Sequence, residues 1–307
     1  MSVYLVLSSL LLSPNLMPPP ATAAPGREAS PVLVGVLETY RTAKEGQPSR
    51  SAVRVAFKKS AGRWEPFPSS CGARLRSPLR ACGEGIPSRI TWTITFDGRD
   101  LGSLTSRPFD HYDYFSDVSC EEPEGGAAVP TVGKPSLEFA GFLNEPVYRP
   151  LVAVSVPNHG DPERWKAAPL TGQIVKRMQA AFRRKFPHVE NCRDQSESPS
   201  AWEYTNDRIR FAKSYASATG FRLVTMSLEG FNCDDTPAGA FVPQLFVLDP
   251  SQKIRHLASQ LVLVDAGDYD GDGKSEVVFM ISRYNRGGYV LFYDDFHRQA
   301  SFEYSYH

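Results

Sequence analysis

Hydrophobic side chains recur along most of the chain in short runs, with the spacing that β-strands require. Four runs rich in β-branched and aromatic residues lie in the first half, at residues 32–40, 52–57, 90–96 and 151–156. The second has the clearest period of two, because Val53, Val55 and Phe57 alternate with Arg54 and Ala56. Such alternation predicts a strand with one buried and one solvated face.

Strand-like runs also follow one another through the C-terminal third. They occupy residues 221–228, 241–248, 253–257, 261–264, 276–282, 289–293 and 301–304. The links between them are short and rich in turn residues, as at Pro250-Ser251, Asn285-Arg286-Gly287-Gly288 and Asp294-Asp295. Because parallel strands need long crossovers, these links predict antiparallel neighbours and therefore a β-meander.

Residues 171–186 break the strand pattern and predict one amphipathic helix. Thr171 can cap its start, and Pro187 ends it. One face carries apolar residues at helical spacing, namely Ile174, Met178, Ala181 and Phe182. Basic residues cover much of the rest, at positions 176, 177 and 183–185. They have two interpretations: a patch for an anionic partner, or a solvated face whose last-turn cations complement the helix dipole.

Together these elements predict a mainly β protein with antiparallel meanders and one amphipathic helix near residues 172–186. We divide the chain into a leader at residues 1–24, an N-terminal mainly-β region at 25–186 and a C-terminal β-meander region at 187–307. A polar, Ser-rich connector at residues 191–200 lies near the boundary. It is either a hinge between two halves or a long surface loop.

The first 24 residues predict export. They carry no charged side chain, and an apolar run at Tyr4–Leu12 precedes prolines and the small residues Ala21-Thr22-Ala23. This arrangement is typical of a signal peptide, here cleaved near Ala23 or Ala24. The apolar run is shorter than the ~20 residues that span a bilayer. We therefore expect a secreted or periplasmic protein without a membrane span.

The balance of charge and the spacing of the cysteines argue against nucleic-acid binding and against zinc or redox sites. Lys plus Arg equals Asp plus Glu at 34 each, so no global field attracts nucleic acid, and no nucleic-acid partner is expected. The chain has five cysteines, and after export they face an oxidising compartment. Cys71 can pair with Cys82 and Cys192 with Cys233, which leaves Cys120 without a partner in this scheme. The sequence has no Cys-x-x-Cys spacing, so neither a zinc knuckle nor a thioredoxin-type redox site is expected.

The segment from Asp268 to Glu276 carries the sharpest chemical signal. Counting Asp268 as position 1, acidic residues occupy positions 1, 3, 5 and 9, as Asp268, Asp270, Asp272 and Glu276. Calcium takes six to eight oxygen ligands, and alternate side chains on a tightly curled backbone can point at one centre. The carbonyl of Lys274 would supply a further oxygen. The alternative is an acidic hairpin loop without an ion.

An EF-hand is excluded by the flanks of this loop. Gly271 and Gly273 permit the positive φ angles that a tight curl needs. However, an EF-hand loop closes with Glu at position 12 between two helices. Here position 12 is Phe279, within the apolar run Val277–Ile281, and residues 261–264 are also strand-like. We therefore predict a calcium loop between two β-strands.

The spacing Asp268-x-Asp270-x-Asp272-Gly-x-x-Glu276, followed by Val-Val-Phe, resembles the calcium loop of FG-GAP repeats, also called VCBS-type or integrin-α-like repeats. The four acidic residues match the side-chain ligands of that family, and Lys274 matches its backbone ligand. The resemblance is limited to the loop and its flanking strands. It implies an extracellular calcium-binding blade of a β-propeller. Two antiparallel β-domains joined near residues 187–200 are the alternative architecture.

No catalytic signature accompanies this loop. The sequence lacks Gly-x-Ser-x-Gly, a phosphate-cradling loop and His-Glu-x-x-His. Asp110-His111-Tyr112-Asp113 has acid–base potential but is typical of a polar surface loop. Five C-terminal tyrosines could stack on sugars or pack in the core, at positions 284, 289, 293, 304 and 306. We expect a binding or structural protein with a protein or glycan partner. The alternative is a secreted glycan hydrolase, whose two carboxylates can be far apart in sequence.

Overall fold

The computed structural model describes residues 31–40, 50–67, 89–106, 117–119, 132–139, 146–158, 160–192, 200–230, 239–283 and 286–305. These residues form antiparallel β-sheets and one α-helix. The predicted fold class, mainly β with antiparallel meanders and one amphipathic helix, is confirmed. A closed propeller stays a prediction.

The first sheet gathers strands from the N-terminal half. Its strands are β1 (Val32–Tyr40), β2 (Arg50–Ser60), β3 (Arg63–Pro66), β4 (Thr91–Phe96), β5 (Arg99–Thr105), β6 (Asp117–Ser119) and β7 (Leu151–Val154). Their order is β3-β2-β1-β7-β4-β5, and β6 pairs with β2. Strands β2 and β3 form a hairpin through the tight turn Ala61-Gly62, whose residues both have positive φ.

The second sheet contains the first C-terminal meander and carries the helix. It comprises β8 (Lys166–Ala167), β11 (Ile209–Ala216), β12 (Arg222–Leu228), β13 (Gln244–Leu248) and β14 (Ile254–Ser259), in the order β14-β13-β12-β11-β8. Helix α1 (Gly172–Lys185) packs on it, and a small sheet pairs β9 (Glu190–Asn191) with β10 (Ser200–Ala201). The third sheet is a second meander, β15 (Leu261–Gly267), β16 (Glu276–Arg283), β17 (Arg286–Tyr293) and β18 (Arg298–Ser305).

The third sheet has an apolar core on each of its faces. On one face, Val278 and Leu291 pack with Val34 and Val152 of the first sheet. On the opposite face, Val277, Phe279 and Ile281 pack with Leu223 and Val247 of the second sheet. Successive residues of a strand point to opposite faces, so an uninterrupted apolar run such as 277–281 fills two cores at once. The second meander is therefore buried on both sides.

The helix covers the remaining face of the second sheet. Met178 and Phe182 are 0% exposed and pack against Val224 and Phe246. Burying a side chain such as Phe182 stabilises the fold by about 1.5–3 kcal/mol. The predicted apolar face is confirmed. Thr171 occupies the N-cap position, but its side chain makes no capping hydrogen bond. No described helix is long and apolar enough to cross a bilayer.

Strand β2 differs from its prediction, because both of its faces are covered. Arg54 is only 3% exposed, whereas alternation predicted a solvated face. Its guanidinium lies 4.5 Å from the ring centroid of Tyr304 and forms two hydrogen bonds of 2.8 Å with the Glu38 carboxylate. The Tyr289 hydroxyl donates to the same carboxylate. An arginine can occupy a buried face when its charge is paired and its stem packs on apolar surface.

Two strand boundaries also differ from prediction. Residues 286–288, predicted as a turn, belong to β17, where Gly287 pairs with Tyr304 and Gly288 with Glu303. A side chain at Gly288 would meet the Phe302 carbonyl oxygen at 2.0 Å, so glycine here serves close strand packing rather than a turn. Phe241 lies in a 3-10 turn, and β13 begins only at Gln244, after Pro243. Proline lacks the N–H that an interior strand position would donate.

Several predictions concern residues outside the described ranges. They include the leader at 1–24, the segment 110–113, Tyr284, Tyr306 and four of the five cysteines. Cys192 is 1% exposed, and its pairing with Cys233 stays a prediction. Tyr289 is buried in the core, and Tyr293 and Tyr304 pack against it. The boundary at 186/187 also stays a prediction, although β8 and α1 pack with the second sheet.

Candidate metal centre

The acidic loop connects β15 to β16 and curls around the first of its carboxylates. Asp268 Oδ1 accepts hydrogen bonds from the N–H groups of Gly271 and Asp272 at 2.8 and 3.0 Å, and Oδ2 accepts from Gly273 at 3.0 Å. Gly271 and Gly273 adopt φ of 76° and 85°, as the sequence predicts. One buried carboxylate therefore shapes the loop by accepting three backbone donors.

Three of the predicted ligands converge. Asp268, Asp270 and Glu276 each offer a carboxylate oxygen, and these atoms lie within 4.8 Å of one another. Two oxygens bound to one calcium ion at ~2.3–2.6 Å cannot be more than about 5 Å apart, so this spacing suits a shared cation. Asp268 and Glu276 are 5% and 2% exposed, and the Asp270 side chain is 1% exposed. The group can hold a metal ion.

Asp272 and Lys274 lie outside this group of three. The Asp272 side chain is 48% exposed, and its Oδ1 accepts the Lys274 N–H at 2.9 Å. The Lys274 ammonium lies 3.4 Å from Asp295 Oδ2. The ligand role of the Asp272 side chain and that of the Lys274 carbonyl stay predictions.

Glu276 is held at both oxygens by donors from different parts of the chain. The Tyr269 N–H donates to Oε2 at 2.9 Å, and the Trp64 indole N–H of β3 donates to Oε1 at 3.3 Å. Burial, reinforced by the negative charge of Asp270, raises the pKa of Glu276 to about 8, while the two hydrogen bonds lower it. This pKa predicts that the carboxyl holds a proton at neutral pH when no cation is bound. A bound metal ion would take that place.

Lys59 of β2 supplies a positive charge that no sequence pattern predicts at this site. Its ammonium forms an ion pair with Asp270 Oδ2 and lies 3.9 Å from Asp272 Oδ2. Lys59 is also the cross-strand partner of Trp64 in the β2–β3 hairpin. The signal that could have located both residues is weak: a lysine and a tryptophan paired across a tight turn. Nothing local links them to residues 268–276.

The base of the loop is fixed by contacts with the first sheet and with residues 160–161. Asp265 on β15 accepts hydrogen bonds of 2.9 Å from the Thr95 hydroxyl and the Asp97 N–H. Burial raises the pKa of Asp265 to about 6, against the opposing effect of Arg149. The Ser275 hydroxyl donates to Asp161 at 2.6 Å, and the Tyr269 ring is fully buried in the core. The loop is therefore anchored at both ends.

A separate groove lies beside the small sheet β9–β10. It has a volume of about 780 Å³ and is lined by residues 186–190, 201–203 and 239–241. The rings of Trp202 and Phe241 are parallel within 2°, with centroids 6.5 Å apart. Glu190 and Glu203 contribute exposed carboxylates. Aromatic faces beside a few polar groups are typical of small-ligand sites.

No family model, no curated protein and no solved structure matches the chain.

Proposed function

We propose that residues 268–276 form a calcium-binding loop that fastens the second meander to the first sheet of an exported β protein. The observation that carries this proposal is the convergence of Asp268, Asp270 and Glu276 within 4.8 Å. Ionised carboxylates that are shielded from water repel one another. Without a metal ion, protonation of Glu276 and the Lys59–Asp270 ion pair offset this repulsion, and a divalent cation can take the place of both. The resemblance to FG-GAP loops supports the same ion.

Calcium fits the donor set better than other common metals. The candidate ligands are carboxylate and carbonyl oxygens, whereas zinc and copper sites use histidine and cysteine. Magnesium demands near-ideal octahedral geometry and keeps several waters. A loop with mixed carboxylate and backbone oxygens suits the larger, more tolerant calcium ion.

The expected role is structural. Extracellular calcium modules bind with Kd values of ~10⁻⁴–10⁻³ M. At ~1 mM free calcium and a tenfold lower Kd, binding stabilises the fold by about 1.4 kcal/mol. Glu276 accepts a hydrogen bond from Trp64 of β3, so one ligand of the ion already reaches the first sheet. Calcium would therefore hold two sheets together.

Thermal unfolding with and without calcium tests this proposal. Calcium at 1 mM should raise Tm by about 2–3 °C relative to the chelated protein. Asp270→Asn keeps the shape of the side chain but removes a ligand charge, and it should abolish the rise. Asp249→Asn alters an acidic turn of the first meander and should leave the rise intact. If metal analysis finds no calcium and chelation leaves Tm unchanged, the proposal fails.

The groove beside β9–β10 is the proposed place for a protein or glycan partner. Aromatic rings and carboxylates are the groups that stack on sugar rings and accept their hydroxyl hydrogens. Glycan and protein binding screens with calcium present should lose their signal in Trp202→Ala. Turnover of a bound glycan that disappears in Glu203→Gln would instead favour the hydrolase alternative.

A further inference from the structure

The cation nearest to the candidate ligands belongs to the protein itself. The Lys59 ammonium forms an ion pair with Asp270 Oδ2, and Asp270 is one of the three carboxylates that converge. The Asp270 side chain is 1% exposed, so water screens this pair poorly. An ammonium that bonds directly to a ligand oxygen occupies space that a metal ion on the same oxygen would need.

The β2–β3 hairpin presents two different groups to the loop, and they have different relations to a metal ion. The Trp64 indole N–H donates to Glu276 Oε1 and carries no charge, so Glu276 keeps lone pairs for an ion. Lys59 carries a full positive charge and would repel any cation bound to Asp270. The hairpin therefore supports one ligand and competes for another.

We propose that Lys59 is a built-in competitor of the metal ion. In the metal-free protein the ammonium neutralises Asp270, and metal entry requires it to withdraw. The Lys59 side chain is 20% exposed and has a flexible four-carbon stem, so it has a route to solvent. This inference rests on the proposed calcium site and concerns its regulation: Lys59 keeps the affinity low, so that only extracellular calcium concentrations fill the loop.

Calorimetric titration of the full chain with calcium tests the competition. Lys59→Met keeps the apolar stem and removes the charge, and it should bind calcium about tenfold more tightly or better. Lys59→Arg keeps the charge and should bind with nearly the wild-type Kd. Lys58→Met is the matched control. It removes the same charge one residue earlier, where the side chain points to the opposite face of β2, and its Kd should change by less than about twofold.

The possible outcomes separate this inference from the calcium proposal. Tighter binding in Lys59→Met but not in Lys58→Met supports competition. An unchanged or weaker affinity in Lys59→Met, with calcium still bound by the wild type, overturns competition and leaves the calcium site standing. If neither the wild type nor Lys59→Met nor Lys59→Arg binds calcium while all three unfold cooperatively, the calcium site itself is wrong and the inference fails with it.

Discussion

The two C-terminal meanders, β11–β14 and β15–β18, share one topology but begin with very different hairpins. In the first meander, residues 217–221 close the turn. Ser217 donates its N–H to the Phe221 carbonyl at 2.9 Å and accepts the Phe221 N–H on its hydroxyl at 3.1 Å. In the second meander, residues 268–275 connect β15 to β16, and Asp268 alone accepts three backbone donors. A neutral hydroxyl is sufficient for a hairpin, and carboxylates are not required.

The two turns also differ in charge, and this difference supports the proposed calcium site. In the first turn, polar groups satisfy one another without net charge. The second turn carries four carboxylates within residues 268–276. Among the ion pairs of the described residues, Lys59 contacts two of them, Asp270 and Asp272, and the Lys274 ammonium lies beside Asp295. Excess negative charge in a covered site destabilises the fold unless a cation or protons neutralise it. If the loop binds calcium as proposed, the ion would offset this cost.

The largest effect is expected when Asp268 loses its carboxylate. Asp268→Ala leaves three backbone N–H groups without their acceptor and removes a candidate ligand. Each buried unsatisfied donor costs about 1–3 kcal/mol, and partial access to water reduces the sum, so the free energy of unfolding should fall by about 3 kcal/mol. Calcium should no longer raise Tm. Urea unfolding with and without calcium measures both effects.

Ser217→Ala is the matched change in the first meander. It removes one acceptor for one backbone donor, so a loss of about 1 kcal/mol is expected, and the calcium response should remain. Equal losses for the two variants would contradict the distinction between an organised ligand loop and an ordinary turn.

A smaller effect should appear in the protons that calcium releases. The metal-free protein holds the pKa of Glu276 near 8, so this carboxyl is mostly protonated at pH 7 and must ionise to bind the ion. Close to one proton should be released per calcium at pH 7 and almost none above pH 9. Titrations in buffers of different ionisation enthalpy measure the number, and Glu276→Gln should show no such release. Equal heats in all buffers at pH 7 would exclude a protonated Glu276.

The raised pKa of Glu276 also determines how the stability of the metal-free protein depends on pH. The folded pKa of Glu276 lies above its value in the unfolded chain, so folding is favoured by protonation. The stabilising contribution is complete below pH 4.5 and is lost as pH rises through about 8. Calcium should therefore stabilise the protein most at the alkaline end of this range.

The loop was predictable from sequence because its chemistry is local. Asp268, Asp270 and Glu276 lie within nine residues, and alternate acids with interspersed glycines specify a curled backbone. Lys59 and Trp64 reach the same site from about two hundred residues away. Their positions depend on how the first and third sheets stack, and no spacing within the sequence encodes that.

The strands show the same division between local and distant causes. Short links predicted antiparallel neighbours correctly within each meander. The single C-terminal meander that they also predicted is divided into two sheets, because β14 and β15, which are joined only by Gln260, do not pair. The solvated face predicted for β2 was wrong, because residues far along the chain cover it: Tyr304 stacks on Arg54, and Tyr289 bonds to Glu38. Periodicity reports the polarity of a face, whereas its burial depends on a partner elsewhere in the chain.

The smallest expected effect lies in the first meander, at His256 on β14. Its Nε2 lies 2.8 Å from Gln244 Oε1, and burial, with the nearby charge of Lys185, lowers its pKa to about 4. Folding therefore favours the neutral ring, and stability that is complete above pH 6.5 is lost as pH falls through about 4. Since the side chain is only partly buried, the loss should be about 1 kcal/mol.

His256→Gln should flatten the dependence of Tm on pH between 6.5 and 4 in calcium-free buffer, whereas the same change at exposed His188 should not. The two meanders would then respond to pH in opposite directions, because a buried base loses stability in acid and a buried acid loses it in alkali. The same change of Tm between pH 6.5 and 4 in the wild type and in His256→Gln would show that His256 does not carry the acid response of the first meander.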